Sequence, residues 1–156
     1  MEYIMKMREH VGHDLILGVG CGVLIENDKG QVLLQRRSDT GEWCVPGGAL
    51  DVGETYVQAA TREVWEEVGI TVHHLRLFGL YSGDDRMITY PNQDRVYSLS
   101  VIFTTDSYTG TISDEDSEVL EHRFFSREDI PVNQLFPPDA RPILDWKNGK
   151  TEITVD

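Results

Sequence analysis

The segment Thr55–Val68 constrains this chain more than any other, because its spacing predicts a helix with two chemically different edges. Thr55 followed by Gln58 forms a capping-box pattern, in which each side chain satisfies a free backbone amide of the other residue. Val57, Ala60, Val64 and Val68 recur at helical spacing and predict an apolar stripe. Gly69 suits the left-handed residue that ends a helix. Beside the stripe stand Glu63, Glu66 and Glu67. With 3.6 residues per turn, Glu66 lies about 60° to one side of Glu63 and Glu67 about 40° to the other, so three carboxylates share one face. Like charges at this spacing repel, more so when partly buried. A hard divalent cation removes that conflict, and magnesium takes oxygen ligands from a few carboxylates, water and substrate phosphate. Arg62 is placed to grip a neighbouring carboxylate and fix its rotamer.

The segments around this helix predict strands. Leu15–Glu26 is apolar and ends in the turn signal Asn27-Asp28-Lys29-Gly30; Gln31–Arg37 resumes as a second strand, so the pair reads as a hairpin. After the helix, Ile70–Tyr81 reads as one strand and Ser82–Asp94 as a polar loop or hairpin end. Arg95–Thr105 is a strong strand, Gly110–Glu118 an acidic loop and Val119–Phe125 a short strand. Asp139–Trp146 reads as a short final helix with Pro142 near its first turn. This order suits an α/β sandwich with a mixed sheet. The length of 156 residues suits one domain, with residues 1–14 as an N-terminal extension that mixes charged and apolar residues.

Charge narrows the range of partners. A net charge of -13 disfavours a nucleic-acid polymer, whose binding relies on basic patches. It does not disfavour a small anion bridged by cations. The longest apolar stretch, Leu15–Ile25, is too short to span a bilayer. With no leader pattern in residues 1–14, a cytoplasmic protein without membrane contact is expected. Cys21 and Cys44 match no zinc spacing and read as buried thiols.

The segment from Gly48 to Ile70, GALDVGETYVQAATREVWEEVGI, carries nine specified positions: Gly48, Glu54, Arg62, Glu63, Val64, Glu66, Glu67, Gly69 and Ile70. At average residue usage such a pattern arises by chance on the order of once in 10^10 windows. It resembles the Nudix box, G-x5-E-x7-R-E-U-x-E-E-x-G-U with U aliphatic, over residues 48–70. VLLQRR and WCVPGG upstream, and the stretch Glu118–Pro131 downstream, extend the likeness. The resemblance implies a Nudix fold, an α/β/α sandwich, and hydrolysis of a nucleoside diphosphate linked to another moiety. It implies that Glu63, Glu66 and Glu67 are metal ligands, that Arg62 orients a glutamate, and that the Gly47 carbonyl and Glu54 assist the metal site. Mg2+ is the expected cofactor, with Mn2+ as a substitute, and a homodimer is common in similar proteins.

Around that constellation several residues are candidates for further roles. The general base is a box glutamate or a late-loop carboxylate: Glu118 or Glu115, and behind them Glu121. Gly48, lacking a Cβ, lets the backbone approach a ligand closely. Arg36 or Arg37 could meet a substrate phosphate, but in an alternating strand only one of them faces the site. Trp43, Tyr81, Tyr90 and Tyr97 are weighed as base-stacking residues against core packing, and core packing is favoured. Substrate choice is expected outside the box, in Ser82–Asp94 and the first hairpin. ADP-ribose, sugar nucleotides and nucleoside triphosphates all stay open. Two rivals share the fold: a nucleotide-sensing module without catalysis, and an isoprenoid diphosphate isomerase, for which Cys44 is the loose candidate.

Overall fold

The side chains of one central strand sort alternately between two helices. In the computed structural model, which describes residues 2–156, Ile16–Ile25 forms β1 and pairs in parallel with Arg95–Thr105, here β8. Cys21, Val23 and Ile25 of β1, with Val101 and Phe103 of β8, pack against Ala59, Ala60, Val64 and Val68 of the box helix α2 (Tyr56–Val68). Leu24 and Ile102 point the other way, to Ile143 and Trp146 of α3 (Pro137–Lys147). This strand alternation between two covered faces makes the α/β/α sandwich.

The main sheet runs β11-β6-β8-β1-β4, with β7 added to β8. Its further members are β4 (Gly47–Ala49), β6 (Arg76–Tyr81), β7 (Met87–Thr89) and β11 (Thr154–Val155). A second sheet holds β10 (Val119–Phe125), β2 (Val32–Arg37) and β3 (Trp43–Cys44), and a two-stranded sheet joins β5 (Ile70–His73) to β9 (Ser107–Gly110). Parallel and antiparallel pairs coexist, so the main sheet is mixed.

Several expectations are corrected. The first hairpin opens normally, with Glu26 bridging Val32 and the Asn27 amide donating to the Gln31 carbonyl at 3.0 Å. It then splits: β1 stays in the main sheet while β2 joins β10 and β3, so each strand finds a longer partner elsewhere. Ile70–Tyr81 is two strands in two sheets, broken at His74, whose φ of 52° lies in the left-handed region. The acidic loop follows an additional strand, β9, which pairs with β5 and was not expected from the sequence. Ser82–Asp94 contains β7 and forms one arm of a hairpin with β8.

The two outer helices also differ from expectation. Val57 does not belong to the buried stripe, because the first turn of α2 is exposed and burial begins at Ala59. The capping box at Thr55 and the left-handed Gly69, φ 80°, do form. Helix α3 begins at Pro137, so Pro142 lies inside it rather than in its first turn. An interior proline leaves the carbonyl four residues back without its helical donor. That carbonyl belongs to Pro138, and the buried Arg86 guanidinium donates to it instead. Residues 2–11 form a helix, α1, that strand and stripe reasoning missed; Met1 lies outside the described residues. No described helix is long and apolar enough to cross a membrane.

Candidate active site

Arg62 organises the acidic edge of α2. Its Nε and Nη2 grip both oxygens of Glu54, at 2.7 and 2.9 Å, and Nη2 also reaches the Ala49 carbonyl at 3.1 Å. Nη1 donates to Glu63 Oε1 at 2.7 Å and to Glu66 Oε2 at 3.2 Å. The Glu54 pair raises the guanidinium well above its ordinary range, and Arg62 in turn draws the Glu54 carboxyl down to about 2. The sequence neighbours i+1 and i+4 are thus held by one cation, and the loop carrying Glu54 is tied to the helix.

Glu67 has a separate set of donors. Its Oε2 accepts from the Gly47 amide at 2.9 Å and from Gln35 Nε2 at 2.8 Å. Burial pushes its carboxyl up to about 8, and burial likewise raises Glu63, which is only 6% exposed. The glycine pair makes this proximity possible. A Cβ on Gly48 would stand 2.5 Å from the Glu63 carboxyl, and one on Gly47, whose φ is 151°, would stand 2.3 Å from the Cys21 carbonyl oxygen. No other residue fits between β1 and the helix.

Among the described residues no three acidic, histidine or cysteine side chains are gathered as a cation cage. Arg62 holds Glu63 and Glu66 on one side, while Glu67 is turned toward Gly47 and Gln35. Still, the hydrogen bonds engage one oxygen of each: Oε1 of Glu63, Oε2 of Glu66 and Oε2 of Glu67. The second oxygen of each is left without such a bond, so the three side chains can offer carboxylate oxygens without losing these contacts. That composition fits a hard divalent cation once the side chains rotate toward it.

A cavity of about 490 Å³ opens beside this edge and is lined by Glu63, Glu67, Gly47 and Gly48. Glu118 also lines it, and its charge contributes to the rise of Glu67; Glu115 and Glu121 do not reach it. Glu121 is instead paired with Arg36 and Arg123. Of the two arginines proposed for phosphate, Arg37 lines the cavity, gripping Asp39 and stacking 4.4 Å from the Phe136 ring centre. Arg36 faces away, bonded to the Gly41 carbonyl and Glu121, so its substrate contact is not supported. Glu54 does not line the cavity either; it serves Arg62. Glu66 sits outside the lining at the exposed margin of the same edge.

The far wall takes Ile88 and Tyr90 from the Ser82–Asp94 segment, while Phe136 and Asp139, which complete it, escaped sequence reasoning. Ile88 and Phe136 pack with Cys44, and Tyr90 leans on them. Trp43 packs edge-on against Phe125, Tyr81 bonds Asp145, and the Tyr97 hydroxyl accepts from the Gly83 amide, so these three serve the fold. Asp139 lines the cavity from the first turn of α3, accepts from the Val45 amide at 3.0 Å, and is pushed up to about 6 by burial. The signal was Pro137-Pro138-Asp139, two prolines opening a helix with an acid in its first turn. Cys21 and Cys44 are free and buried, as expected.

Comparison with known proteins agrees with the fold. The profile of the NUDIX domain matches residues 17–147. An ADP-ribose pyrophosphatase of Methanocaldococcus jannaschii is 31% identical over 153 residues, covering 94% of this chain and 85% of that protein. An NAD-capped RNA hydrolase, NudC, of Vibrio atlanticus is 34% identical over 96% of this chain, which spans 55% of that protein. The MutT protein of Methanosarcina mazei Go1 shares the fold at a TM-score of 0.70, with 23% identity, covering 89% of this chain and 99% of that one. The chain belongs to the Nudix family of hydrolases.

Proposed function

We propose that the protein, acting as one domain in the cytoplasm, is a magnesium-dependent pyrophosphohydrolase that cleaves the diphosphate of a nucleotide held in the 490 Å³ cavity. One observation carries this reading. Glu63, Glu66 and Glu67 each keep one carboxylate oxygen outside their internal hydrogen bonds, along the edge that borders the cavity. These three, with the Gly47 carbonyl, are the residues to hold Mg2+ or Mn2+. When bound, such an ion neutralises diphosphate oxygens and acidifies water.

The chain's own residues supply the rest. Glu118 stands in the lining near Glu67 and takes the proton from the attacking water. Arg62 holds Glu63 and Glu66 in register through the reaction. Arg37 presents a cation toward substrate phosphate from a rotamer fixed by Asp39 and Phe136. The Ile88, Tyr90 and Phe136 wall offers flat apolar surface for a base, and Asp139 offers a buried polar contact beside it. Two relatives whose names specify ADP-ribose and NAD-capped RNA keep the choice among nucleotides open.

The test is a substrate panel with magnesium: ADP-ribose, NAD, a sugar nucleotide, and ordinary and oxidised deoxynucleoside triphosphates. The expected result is magnesium-dependent cleavage within the phosphate chain of at least one of them, abolished by a chelator. Cleavage that persists in a chelator, or none with any nucleotide, removes the reading. Glu118→Gln is expected to slow turnover while leaving metal affinity unchanged; an unaltered rate moves the base elsewhere.

A further inference from the structure

Helix α1 crosses the rim of the cavity and is fastened at both ends. At its start, the Tyr3 amide, one of the free donors of a first helical turn, donates to Asp51 Oδ1 at 3.0 Å. Asp51 belongs to the box loop, where its own amide donates to Glu54 Oε2 at 3.0 Å. At the other end the Arg8 side chain, 9% exposed, works as a clasp. Its Nη1 donates to the carbonyls of Gly12 and Asp14 at 3.0 and 2.6 Å, and its Nη2 to that of Arg95 at 2.7 Å. Its Nε lies 3.5 Å from Asp94, a carboxylate also met by His13 and Asn92. The helix therefore bridges the box loop and the hairpin that opens β8.

Ile4 and Met5, between the two fastenings, and Arg8 itself line the cavity. Ile4 faces Gly18 of β1, where an added Cβ would lie 3.8 Å from its Cδ1. Met5 is 61% exposed, so it stands at the mouth rather than in a core. A cavity of about 490 Å³ sits in the lower half of the range that encloses a drug-sized ligand. That volume suits one nucleotide, and α1 supplies part of the lining.

We infer that α1 is a specificity wall, with Met5 and the Arg8–Asp94 clasp setting how far a substrate extends past the cavity. Compact nucleotides are accepted as the wall stands. Those carrying a second nucleoside or a nucleic-acid chain must displace it. This rests on the nucleotide reading of the cavity. Arginine is required at position 8 because its fork reaches three carbonyls and a carboxylate at once, which a lysine ammonium does not.

The experiment compares kcat/KM for a deoxynucleoside triphosphate and for NAD in the intact chain and in Arg8→Ala, Arg8→Lys and Met5→Trp. Opening the clasp is expected to move the ratio about tenfold toward NAD in both Arg8 variants, the scale on which a pocket wall discriminates. Met5→Trp, at a half-free position that does not threaten folding, is expected to raise KM for NAD more than for the triphosphate. Hydrogen exchange of amides 3–11 is read in parallel with a non-hydrolysable triphosphate analogue, and slower exchange on binding is expected. Unchanged ratios in all three variants overturn the wall, as does unchanged exchange with an analogue that binds. Protection of α1 without hydrolysis of any nucleotide would leave the wall standing and remove the pyrophosphohydrolase reading.

Discussion

Two arginines close to the cavity find partners for their charge in opposite ways. Arg62, on the box helix, is surrounded by carboxylates: Glu54, Glu63 and Glu66 all accept from it. Arg86, fully buried behind the far wall, donates to no carboxylate among the described residues. It gives its protons to the carbonyls of Ser98 and Pro138 and to the Ser100 hydroxyl, and burial lowers its pKa. The first arrangement is a charge cluster, whose carboxylates would be shared with a cation under the proposed function. The second is a fixed scaffold of hydrogen bonds that ties β8 to the start of α3. One arginine is thus set among charges beside the cavity and the other in a frame of neutral acceptors.

The sharpest way to break this contrast is to remove Arg86. Arg86→Met leaves two carbonyls and a hydroxyl without donors, and relief of the desolvated charge offsets only part of that cost. The expected loss of unfolding free energy is about 3 kcal/mol, read from the denaturant midpoint at constant slope. A loss under about 0.5 kcal/mol would show that the far wall is not held by this arginine.

Asp139 sharpens the same point through pH. Burial raises its carboxyl to about 6, above the value in an unfolded chain. Its protonated form is therefore the favoured one, and its contribution is complete at low pH and lost as pH rises through 6. An asparagine keeps a carbonyl for the Val45 amide but never ionises. Asp139→Asn is expected to match the native chain in stability at pH 4 and to exceed it at pH 8, by on the order of 3 kcal/mol. Parallel stability curves across that range would contradict the assignment.

The effect of Arg62 is expected to be smaller and of another kind. Arg62→Gln leaves the carboxylates in place but no longer in register, so turnover should fall by about 10–100-fold. Unfolding free energy should change by no more than ~1 kcal/mol, because the guanidinium is partly exposed. A large stability loss would make the two arginines alike.

The two arginines also differ in how far their partners could be read from sequence. The carboxylates that accept from Arg62 lie one, four and eight residues away, so helix spacing exposed Glu63 and Glu66, while Glu54 was expected at the metal site rather than on Arg62. The partners of Arg86 lie 12, 14 and 52 residues away, and no local pattern encodes them. The same distinction runs through the fold. Helix α2 was legible because its cap, stripe and terminal glycine are local. The split of the first hairpin was not, since it depends on β2 finding β10 almost ninety positions later. Helix α1 did carry a signal. Ile4, Met7, Arg8 and Val11 are its half-buried positions at helical spacing, with Gly12 ending it at a φ of 58°. The charged clasp Arg8 stands where the stripe expects an apolar residue and so disguised it.

The central claim is that the three glutamates of α2 act together as a cation site. Mn2+ binding followed by electron paramagnetic resonance in the native chain and in Glu63→Gln, Glu66→Gln and Glu67→Gln tests it without reliance on any substrate. The account predicts one site in the native chain, weakened at least about tenfold in each variant. Mn2+ held equally well by all four proteins would contradict it.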